Sequence, residues 1–500
     1  MAKATEMKQY FITILVLVLF SFSGNTQSMR SAKTLTSTEL LKDFEVLKGV
    51  LQNYHPGLYR FQDSLAIQKH FNTLEHQLKS DLSLSEAYLV FSRFTASLKC
   101  GHTFCSFYNQ SGPTKDSLFN KKDKVPFTFF LFDKKMFIEK NVSDKEELKR
   151  GTEVLEINTM PVAMIIDTLL HYIKGDGNNN LKRLNDLNLS GLGKFEAFDI
   201  FYPLLFPPIH NSYSLKVKQS DHINISTIIV NPVSRTERFE LIENKYGKQP
   251  STLDDLWSYK IINNETGYLK IGTFVTNKLS IDWKKFLNTA FDDLSEKNIQ
   301  NLIIDIRGNE GGDDAVNLVI GKKLAKKQIE FPAFKELLRY ENVSDEFRPY
   351  LNTWDKNFYN RSGQLINLEN GFYTWKKDRG LSIIKQNSKA FQGNTYLLVD
   401  AANSSATFFL TAGLQKNKMA TIVGSQTGGN LKGTNGGQLF FLWLPNSKIE
   451  IDIPLIGYYP LTEQPDKGIH PDIEIQLNIS DILSDKDKVL EKTLELIHRK

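Results

Sequence analysis

The sequence predicts a mixed α/β protein with a helical N-terminal part, and three stretches carry this prediction. Residues 392–414 join an apolar, β-rich run to a bend of small polar residues and a second apolar run that favours a buried helix. Residues 266–324 follow the order strand, helix, strand, glycine-rich turn and helix, which is typical of a crossover α/β unit. Residues 36–98 repeat apolar side chains at helical spacing.

The composition is that of an ordinary globular protein. Its 500 residues, 41% of them hydrophobic and 24% charged, are enough for roughly two to four domains. The net charge of +5 is small for this length, and the chain contains no dense basic block. We therefore expect no nucleic-acid partner.

The N-terminus has the pattern of a secretory signal peptide. Lys3 and Lys8 precede an apolar run over residues 10–22, and small and polar residues follow up to Ser28. The run is too short for a comfortable membrane span, although an uncleaved anchor remains the alternative. We predict that residues 1–28 are removed on export to the periplasm, cell envelope or medium, and that the mature protein has no stable membrane span.

Helix start signals support the N-terminal helices. Thr36 and Glu39 have the spacing of a capping box, and Ser83 and Ser85 stand just before Glu86 as candidate N-caps. These signals predict a small helical bundle.

A histidine follows these helices in the segment CGHTFC. His102 lies at a predicted helix-to-strand junction, from which a side chain can reach a cleft. One histidine between Cys100 and Cys105 gives too few ligands for a zinc site, so we expect no metal there. Two half-buried thiols are the default interpretation, and a local disulfide is permitted in an exported protein. A lone histidine is usually a surface or core residue, so a function for His102 needs a second observation.

The next part of the chain is β-rich, with strand-like runs near residues 127–132, 136–138 and 154–157. Residues 150–162, RGTEVLEINTMPV, resemble the core of a PDZ-like domain, a module that accepts a peptide as an added strand. We interpret residues 174–180 as a polar loop.

The glycine-rich turn RGNEGGD, residues 307–313, follows a predicted buried strand. It lacks the GK[ST] ending of a phosphate-binding loop, so its glycines favour a nest of N–H groups that point at an anion. Residues 326–388 are interpreted as an insertion or lid over the α/β part. Further strand-like runs occur at residues 420–424, 440–444 and 449–453, and a C-terminal helix is predicted near residues 486–497.

The bend at residues 400–405 is a candidate nucleophile loop. Strand, tight turn and helix lift a hydroxyl to the edge of a sheet, where the helix N-terminus offers free N–H groups to an oxyanion. The alternative is that Ser404 or Ser405 only caps the helix.

Six motifs in this order resemble the S41 serine peptidases, which include the tail-specific and C-terminal-processing proteases and the tricorn core protease. The resemblance runs from about residue 37 to the C-terminus. The motifs are LKCGHT, RGTEVLEINTMPV, NLIIDIRGNEGG, VDAANSSAT, VGSQTGG and KGIHPDIEI.

The resemblance implies an α/β catalytic core with a crotonase- or ClpP-like β-β-α spiral, an N-terminal helical bundle and a PDZ-like domain. The implied organisation is a signal peptide (1–28), a helical region with the catalytic histidine (29–120), a PDZ-like domain (121–245), the peptidase core with an insertion at about 326–388 (246–485) and a C-terminal helix (486–500).

The resemblance also implies the site residues. The nucleophile falls on Ser405, with Ser404 as its rival. Asn430 occupies the position of the lysine base of the processing proteases, and Lys432 could replace that base only through a loop shift. The base is therefore His102, as in the tricorn-like branch.

The remaining implied groups lie further along the chain. Glu463, or alternatively Asp466, would orient the imidazole, and the N–H groups of Gly311 and Ala406 would bind the oxyanion. No cofactor or metal is implied. Cys100 and Phe408 depart from the family pattern, which has Asp and Glu there.

The function that follows is an exported serine endopeptidase that acts on peptides or proteins. A non-catalytic peptide- or ligand-binding protein on the same scaffold is the alternative, and an esterase with the same catalytic groups is a third hypothesis.

Overall fold

The computed structural model describes residues 34–192, 195–219, 224–331, 334–377, 383–484 and 486–499. The predicted signal peptide, residues 1–28, lies outside these ranges. Within them, no helix combines the length and the apolar character that crossing a membrane requires.

The N-terminal part is helical, as the spacing predicts. Capping boxes at Thr36 and Ser83 begin the first and third long helices, because each hydroxyl accepts the N–H of a glutamate three residues on. The elements are β1 (Thr34–Leu35), α1 (Ser37–Tyr54), α2 (Ser64–Gln77), β2 (Leu82–Ser83), α3 (Leu84–Ser97) and α4 (Gly112–Leu118).

The strand expected after His102 does not form. Phe104 makes a single antiparallel bridge to Asp452, and the surrounding residues are turns and irregular backbone. Tertiary contacts hold this segment instead of a ladder of strand hydrogen bonds.

An antiparallel sheet follows, in the order β3-β4-β5-β7-β8, with β6 beside β5. Its helices pack partly against the N-terminal helices, so the two regions share one hydrophobic core. The elements are β3 (Phe127–Phe132), β4 (Lys135–Asn141), β5 (Glu153–Ile157), β6 (Met160–Pro161), α5 (Val162–Leu169), α6 (Asn180–Asp186), α7 (Ala197–Leu205), β7 (Tyr213–Lys218), β8 (Ile225–Val230) and α8 (Arg235–Tyr246).

The α/β core is built on a six-stranded sheet. The strand order is β22 (Ile473–Glu474), β19 (Thr421–Gly424), β18 (Asn394–Val399), β11 (Asn301–Asp305), β10 (Thr266–Ile271) and β9 (Trp257–Asn263). Only β9 runs antiparallel to its neighbour. The first elements of this core, which include the crossover unit predicted over residues 266–324, are β9 (Trp257–Asn263), β10 (Thr266–Ile271), α9 (Trp283–Glu296), β11 (Asn301–Asp305) and α10 (Ala315–Leu324).

The segment interpreted as a lid is packed into the molecule. Its strands β13 and β14 extend a four-stranded sheet, and the ring of Tyr340 lies 5.0 Å from that of Tyr54 in α1. The lid interpretation is wrong because the segment is part of two hydrophobic cores. Its middle part, including Leu338 and Phe347, packs in the N-terminal core. Its ends pack in the core of the parallel sheet through Ile329, Phe331 and Ile384. The strands are β12 (Ile329–Glu330), β13 (Phe334–Leu337), β14 (Leu351–Asn352), β15 (Leu365–Asn367), β16 (Tyr373–Trp375) and β17 (Ile383–Ile384).

The C-terminal part completes both sheets. The two strand-like runs predicted at residues 440–453 belong to a long hairpin, β20 with β21. The elements are β18 (Asn394–Val399), α11 (Ala406–Lys416), β19 (Thr421–Gly424), β20 (Thr434–Trp443), β21 (Glu450–Pro460), β22 (Ile473–Glu474), α12 (Ile479–Leu483) and α13 (Lys488–His498).

Helices cover both faces of the parallel sheet. Alternate residues of the strands pack with α9, α10 and α11 on one face and with α13 on the other. Burial on both faces explains why β11 and β18 read as continuous apolar runs. The carboxyl ends of β11 and β18 lie side by side, and this brings the RGNEGG turn next to the candidate nucleophile loop.

Candidate active site

Ser405 sits at a sharp strand-to-helix turn between β18 and α11. Its backbone has φ 52° and ψ −127°, a conformation that costs a residue with a side chain about 1–3 kcal/mol. Its side chain does not make the capping hydrogen bond to α11, so capping does not account for this serine. The hydroxyl of its rival Ser404 donates to the carbonyl of Glu310 (3.2 Å).

Asn403 fixes the backbone of this turn. The residue is completely buried, and its side-chain and backbone groups connect the turn to two neighbouring loops. Asn403 Nδ2 donates to the carbonyls of Ile306 (2.6 Å) and Asn309 (3.0 Å), its Oδ1 accepts the Asp400 N–H (2.8 Å), and its carbonyl accepts the N–H groups of Gly428 (2.8 Å) and Gly429 (2.9 Å).

The two predicted oxyanion donors lie next to the serine. A Cβ on Gly311, which has φ 109°, would be 2.9 Å from Ser405 Cβ and 3.0 Å from Ala406 N, so only glycine fits there. Ala406 begins α11, where a backbone N–H has no acceptor within the helix. The Gly311 N–H already donates to Asn309 Oδ1 (2.9 Å), so an oxyanion would have to share or replace that bond.

His102 reaches the same place from the N-terminal region. A cavity of about 60 Å³ is lined by His102 together with Glu310, Ser404 and Gly428 of the loops around the nucleophile turn. Residues that are far apart in the sequence therefore converge on one cavity. The Nδ1 atom of His102 is inaccessible to solvent and has no hydrogen-bond partner within the described ranges.

The electrostatic surroundings keep His102 neutral. Desolvation lowers the pKa of the imidazole to about 4, against the opposing effect of the Asp176 carboxylate and with the help of Lys174 and Lys182. A neutral imidazole near pH 7 can accept a proton from a serine hydroxyl.

Asp176 is the carboxylate that the structure places at this histidine. It is buried, its Oδ1 accepts the Gly101 N–H (2.8 Å), and its Oδ2 accepts the Thr434 hydroxyl (2.8 Å). Sequence reasoning missed it and assigned residues 174–180 to a polar loop. The available signal was an acidic residue between two glycines, Gly175 and Gly177.

A buried histidine, His55, supports the loop that carries His102. His55 Nδ1 accepts the Gly57 N–H (3.1 Å), so Nε2 carries the proton and donates to the hydroxyl of Thr103 (2.9 Å). Burial, followed by the charge of Arg60, lowers the pKa of His55 to about 3. His55 is thus a neutral group that anchors the residue directly after His102.

Lys182 is a lysine at the cavity, but it is not available as a base. Its ammonium lies 2.6 Å from Asp186 and 3.3 Å from Glu310. Burial alone would lower the pKa of Lys182, but these two carboxylates outweigh burial and raise it. The ammonium therefore stays protonated.

The structure does not bring Glu463 or Asp466 into the His102 cavity. Glu463 is exposed and lines a different cavity, together with Lys432 and His55. Asp466 Oδ1 accepts Asn430 Nδ2 (2.7 Å) and the Asn178 N–H (2.9 Å), so it joins loops instead of orienting the imidazole. The strand β21 ends at Pro460, and the chain beyond it turns toward solvent at Glu463.

The two residues that depart from the family pattern, Cys100 and Phe408, are buried, and so is Cys105. Cys100 and Cys105 are unbonded and buried, which corrects the expectation of half-buried thiols. Burial raises the pKa of both thiols, that of Cys105 to about 12. Phe408 is buried against Gly429: a Cβ on this glycine would lie 2.4 Å from the Phe408 ring.

Ser404, the residue directly before the strained Ser405, lines one cavity with the neutral His102. A serine hydroxyl near a neutral imidazole is the pair of groups that a serine-type hydrolase requires. Solved structures provide a comparison for the fold. The chain is similar to mature CPAF complexed with lactacystin (16% identity, 92% of this chain and 97% of that chain, TM-score 0.59). It is also similar to mature CPAF in a second structure, with 16% identity over 92% of this chain and 96% of that chain and a TM-score of 0.58. The photosystem II D1 C-terminal processing protease also matches, with 14% identity over 90% of this chain and 98% of that chain and a TM-score of 0.39. At these identities the likeness to CPAF shows a shared fold.

Residues 265–475 match the model of peptidase family S41. This match confirms the resemblance to the S41 serine peptidases that the motifs of this segment indicate. The segment contains Ser405, Gly311 and Ala406, whereas His102 lies outside it. No curated protein matches the chain.

Proposed function

We propose that the protein is an exported serine endopeptidase with Ser405 as nucleophile and His102 as general base. One observation carries the proposal: His102 and the loops around the strained Ser405 turn line the same small cavity. This convergence brings together chain segments that are about 300 positions apart in the sequence.

The reaction follows from these two groups. Ser405 Oγ attacks the carbonyl carbon of a peptide bond while its proton passes to the neutral imidazole of His102. The protonated imidazole returns that proton to the leaving amine, which leaves an acyl group on Ser405. Water then attacks the ester, His102 again takes and returns a proton, and the acid product and free Ser405 result.

Two further groups assist this reaction. The Asp176 carboxylate stabilises the positive charge that His102 gains when it takes the proton, since it already opposes the low pKa of the imidazole. The Ala406 N–H at the start of α11 stabilises the oxyanion, with Gly311 as the second donor once its bond to Asn309 is released. The antiparallel sheet of β3 to β8 is the PDZ-like domain in this proposal, and it would hold a substrate strand.

Hydrolysis of an unstructured protein substrate tests the proposal. The wild-type enzyme is expected to cleave it, and Ser405→Ala to lower turnover by about a thousandfold or more. Ser404→Ala is the matched control, one residue away on the same turn, and should stay within about tenfold of wild type. Full activity of Ser405→Ala in folded protein would refute the assignment, and loss in Ser404→Ala alone would move the nucleophile to Ser404.

Export has a separate test. Expression of the full chain in a secreting host should give a product that begins after residue 28, as read from the mass of its N-terminal peptide. Leu17→Arg places a charge in the apolar run and should block this processing. An intact N-terminus on protein recovered outside the cytoplasm would contradict cleavage and support the uncleaved anchor.

A further inference from the structure

A second cavity, of about 290 Å³, adjoins the His102 cavity. Lys174 and Glu310 line both cavities, and Gly308 and Ala402, from the two loops next to Ser405, line the larger one. A substrate whose carbonyl lies at Ser405 therefore has this space within reach of an adjacent side chain.

Six aromatic side chains line the larger cavity, together with polar and charged side chains. They come from the loop after His102, from the end of α5 and from the start of α7. The rings are those of Phe104, Phe107, Tyr108, Tyr172, Phe195 and Phe201.

These rings hold one another in place. The Phe107 ring lies 4.6 Å from Tyr108, 5.9 Å from Phe104 and 6.4 Å from Phe195. Tyr172 lies 5.6 Å from Phe201 on the opposite side. Mutual packing of this kind keeps the walls in position before a ligand arrives, so little ordering is required on binding.

The charged groups of the cavity already have protein partners. Glu196 accepts the Ser190 hydroxyl (2.6 Å), the Ser190 N–H (2.8 Å) and the Gly191 N–H (2.9 Å). Asp186 is paired with Lys182 (2.6 Å), and the Lys174 ammonium lies 3.8 Å from the centre of the Phe104 ring. A charged substrate side chain would have to break these contacts, whereas an apolar one would not.

We propose that this cavity binds a bulky apolar or aromatic side chain of the substrate, at one of the two residues that flank the cleaved bond. This inference rests on the proposed function. The volume is close to the lower end of the roughly 300–1,000 Å³ typical of ligand pockets, so the cavity has room for one bulky side chain.

Two measurements test the inference. Peptides cleaved by the enzyme are sequenced, and their cleaved bonds should carry Phe, Tyr, Trp, Leu or Met at one fixed flanking position. Replacing that residue by Ala in a matched peptide should lower kcat/KM by about tenfold to a hundredfold, because burial of the large side chain is lost. Small or charged residues at both flanking positions would overturn the inference.

A pair of variants locates the preference in this cavity. Ala197→Leu adds bulk at the wall and should reduce the Phe-to-Ala ratio of kcat/KM, whereas Tyr108→Phe keeps the ring and should retain that ratio. Circular dichroism confirms that both variants fold. If the Phe-to-Ala ratio of kcat/KM did not change in Ala197→Leu, the preference for a bulky side chain would not arise in this cavity.

A fluorophosphonate probe with a small alkyl group separates failure of this inference from failure of the proposed function. Absence of labelling in the wild-type enzyme would overturn both. Normal labelling with equal cleavage of the Phe and Ala peptides would overturn only the cavity assignment.

Discussion

The two loops that carry the proposed nucleophile and the proposed base are built in different ways. Ser405 stands between a strand and a helix of the buried parallel sheet, and regular secondary structure sets its direction. His102 stands in an irregular segment, where Asp176 holds the preceding residue Gly101 and His55 holds the following residue Thr103 through side-chain hydrogen bonds.

This difference decides how each loop responds to change. The nucleophile turn depends on the burial of β18 and α11 and on Asn403, the hub residue whose side chain bonds the carbonyls of Ile306 and Asn309. The histidine loop depends on the side chains of Asp176 and His55, which bond residues 75 and 48 positions away in the sequence. Substitutions at the hub should therefore affect folding strongly, whereas substitutions at the partners of the histidine loop should mainly tune reactivity.

The largest expected effect tests whether the two loops act as one unit. Ser405→Ala and His102→Ala should each lower turnover by about a thousandfold or more. The double variant should lose little beyond either single variant, because neither group works without the other. If the loss of kcat in the double variant equalled the product of the two single losses, the two residues would act independently, and the two loops would not form one unit.

The next effect concerns the hub of the nucleophile turn. Asn403→Ala leaves the buried Asp400 N–H and the carbonyls of Ile306 and Asn309 without this partner, at about 1–3 kcal/mol per group. We expect the free energy of unfolding, measured with urea, to fall by about 3 kcal/mol or more. Ser404→Ala is the neighbouring control, and an equal loss in both variants would contradict the role of Asn403.

A smaller effect is expected at the histidine loop. Asp176→Asn keeps an oxygen to accept the Gly101 N–H but removes the charge that raises the pKa of His102. We expect kcat to fall by about tenfold to a hundredfold and the acid limb of the pH–rate profile to move to lower pH. Glu463→Gln should change neither quantity, because Glu463 lines another cavity. If Glu463→Gln lowered kcat and shifted the acid limb while Asp176→Asn changed neither, Glu463 would be the residue that orients the imidazole.

The smallest effect is a pH dependence of stability from His55. Its folded pKa is about 3, whereas an unfolded histidine titrates near 6.5. Between these values the unfolded chain binds a proton that the folded chain does not, so the free energy of unfolding falls as pH falls. The slope is at most about 1.4 kcal/mol per pH unit. His55→Gln should flatten the curve between pH 6.5 and 5, and an unchanged slope would show that His55 is not a buried neutral group.

The sequence predicted the nucleophile side of the site better than the histidine side. Residues 301–306, 315–324 and 395–399 form the expected strands and helix because apolar runs buried on both sides leave few alternatives. Asp176 was missed because its role depends on packing against Gly101 and Thr434, which no local pattern specifies. The chosen Glu463 came from family spacing, and its exposed position depends on where the chain turns after β21.

One measurement tests the central claim most directly: mass-spectrometric mapping of the adduct formed with a fluorophosphonate probe. We expect a single adduct on the peptide that contains Ser405, absent in Ser405→Ala and formed much more slowly in His102→Ala. An adduct on another serine, or full-rate labelling of Ser405 in His102→Ala, would contradict the pairing of these two residues.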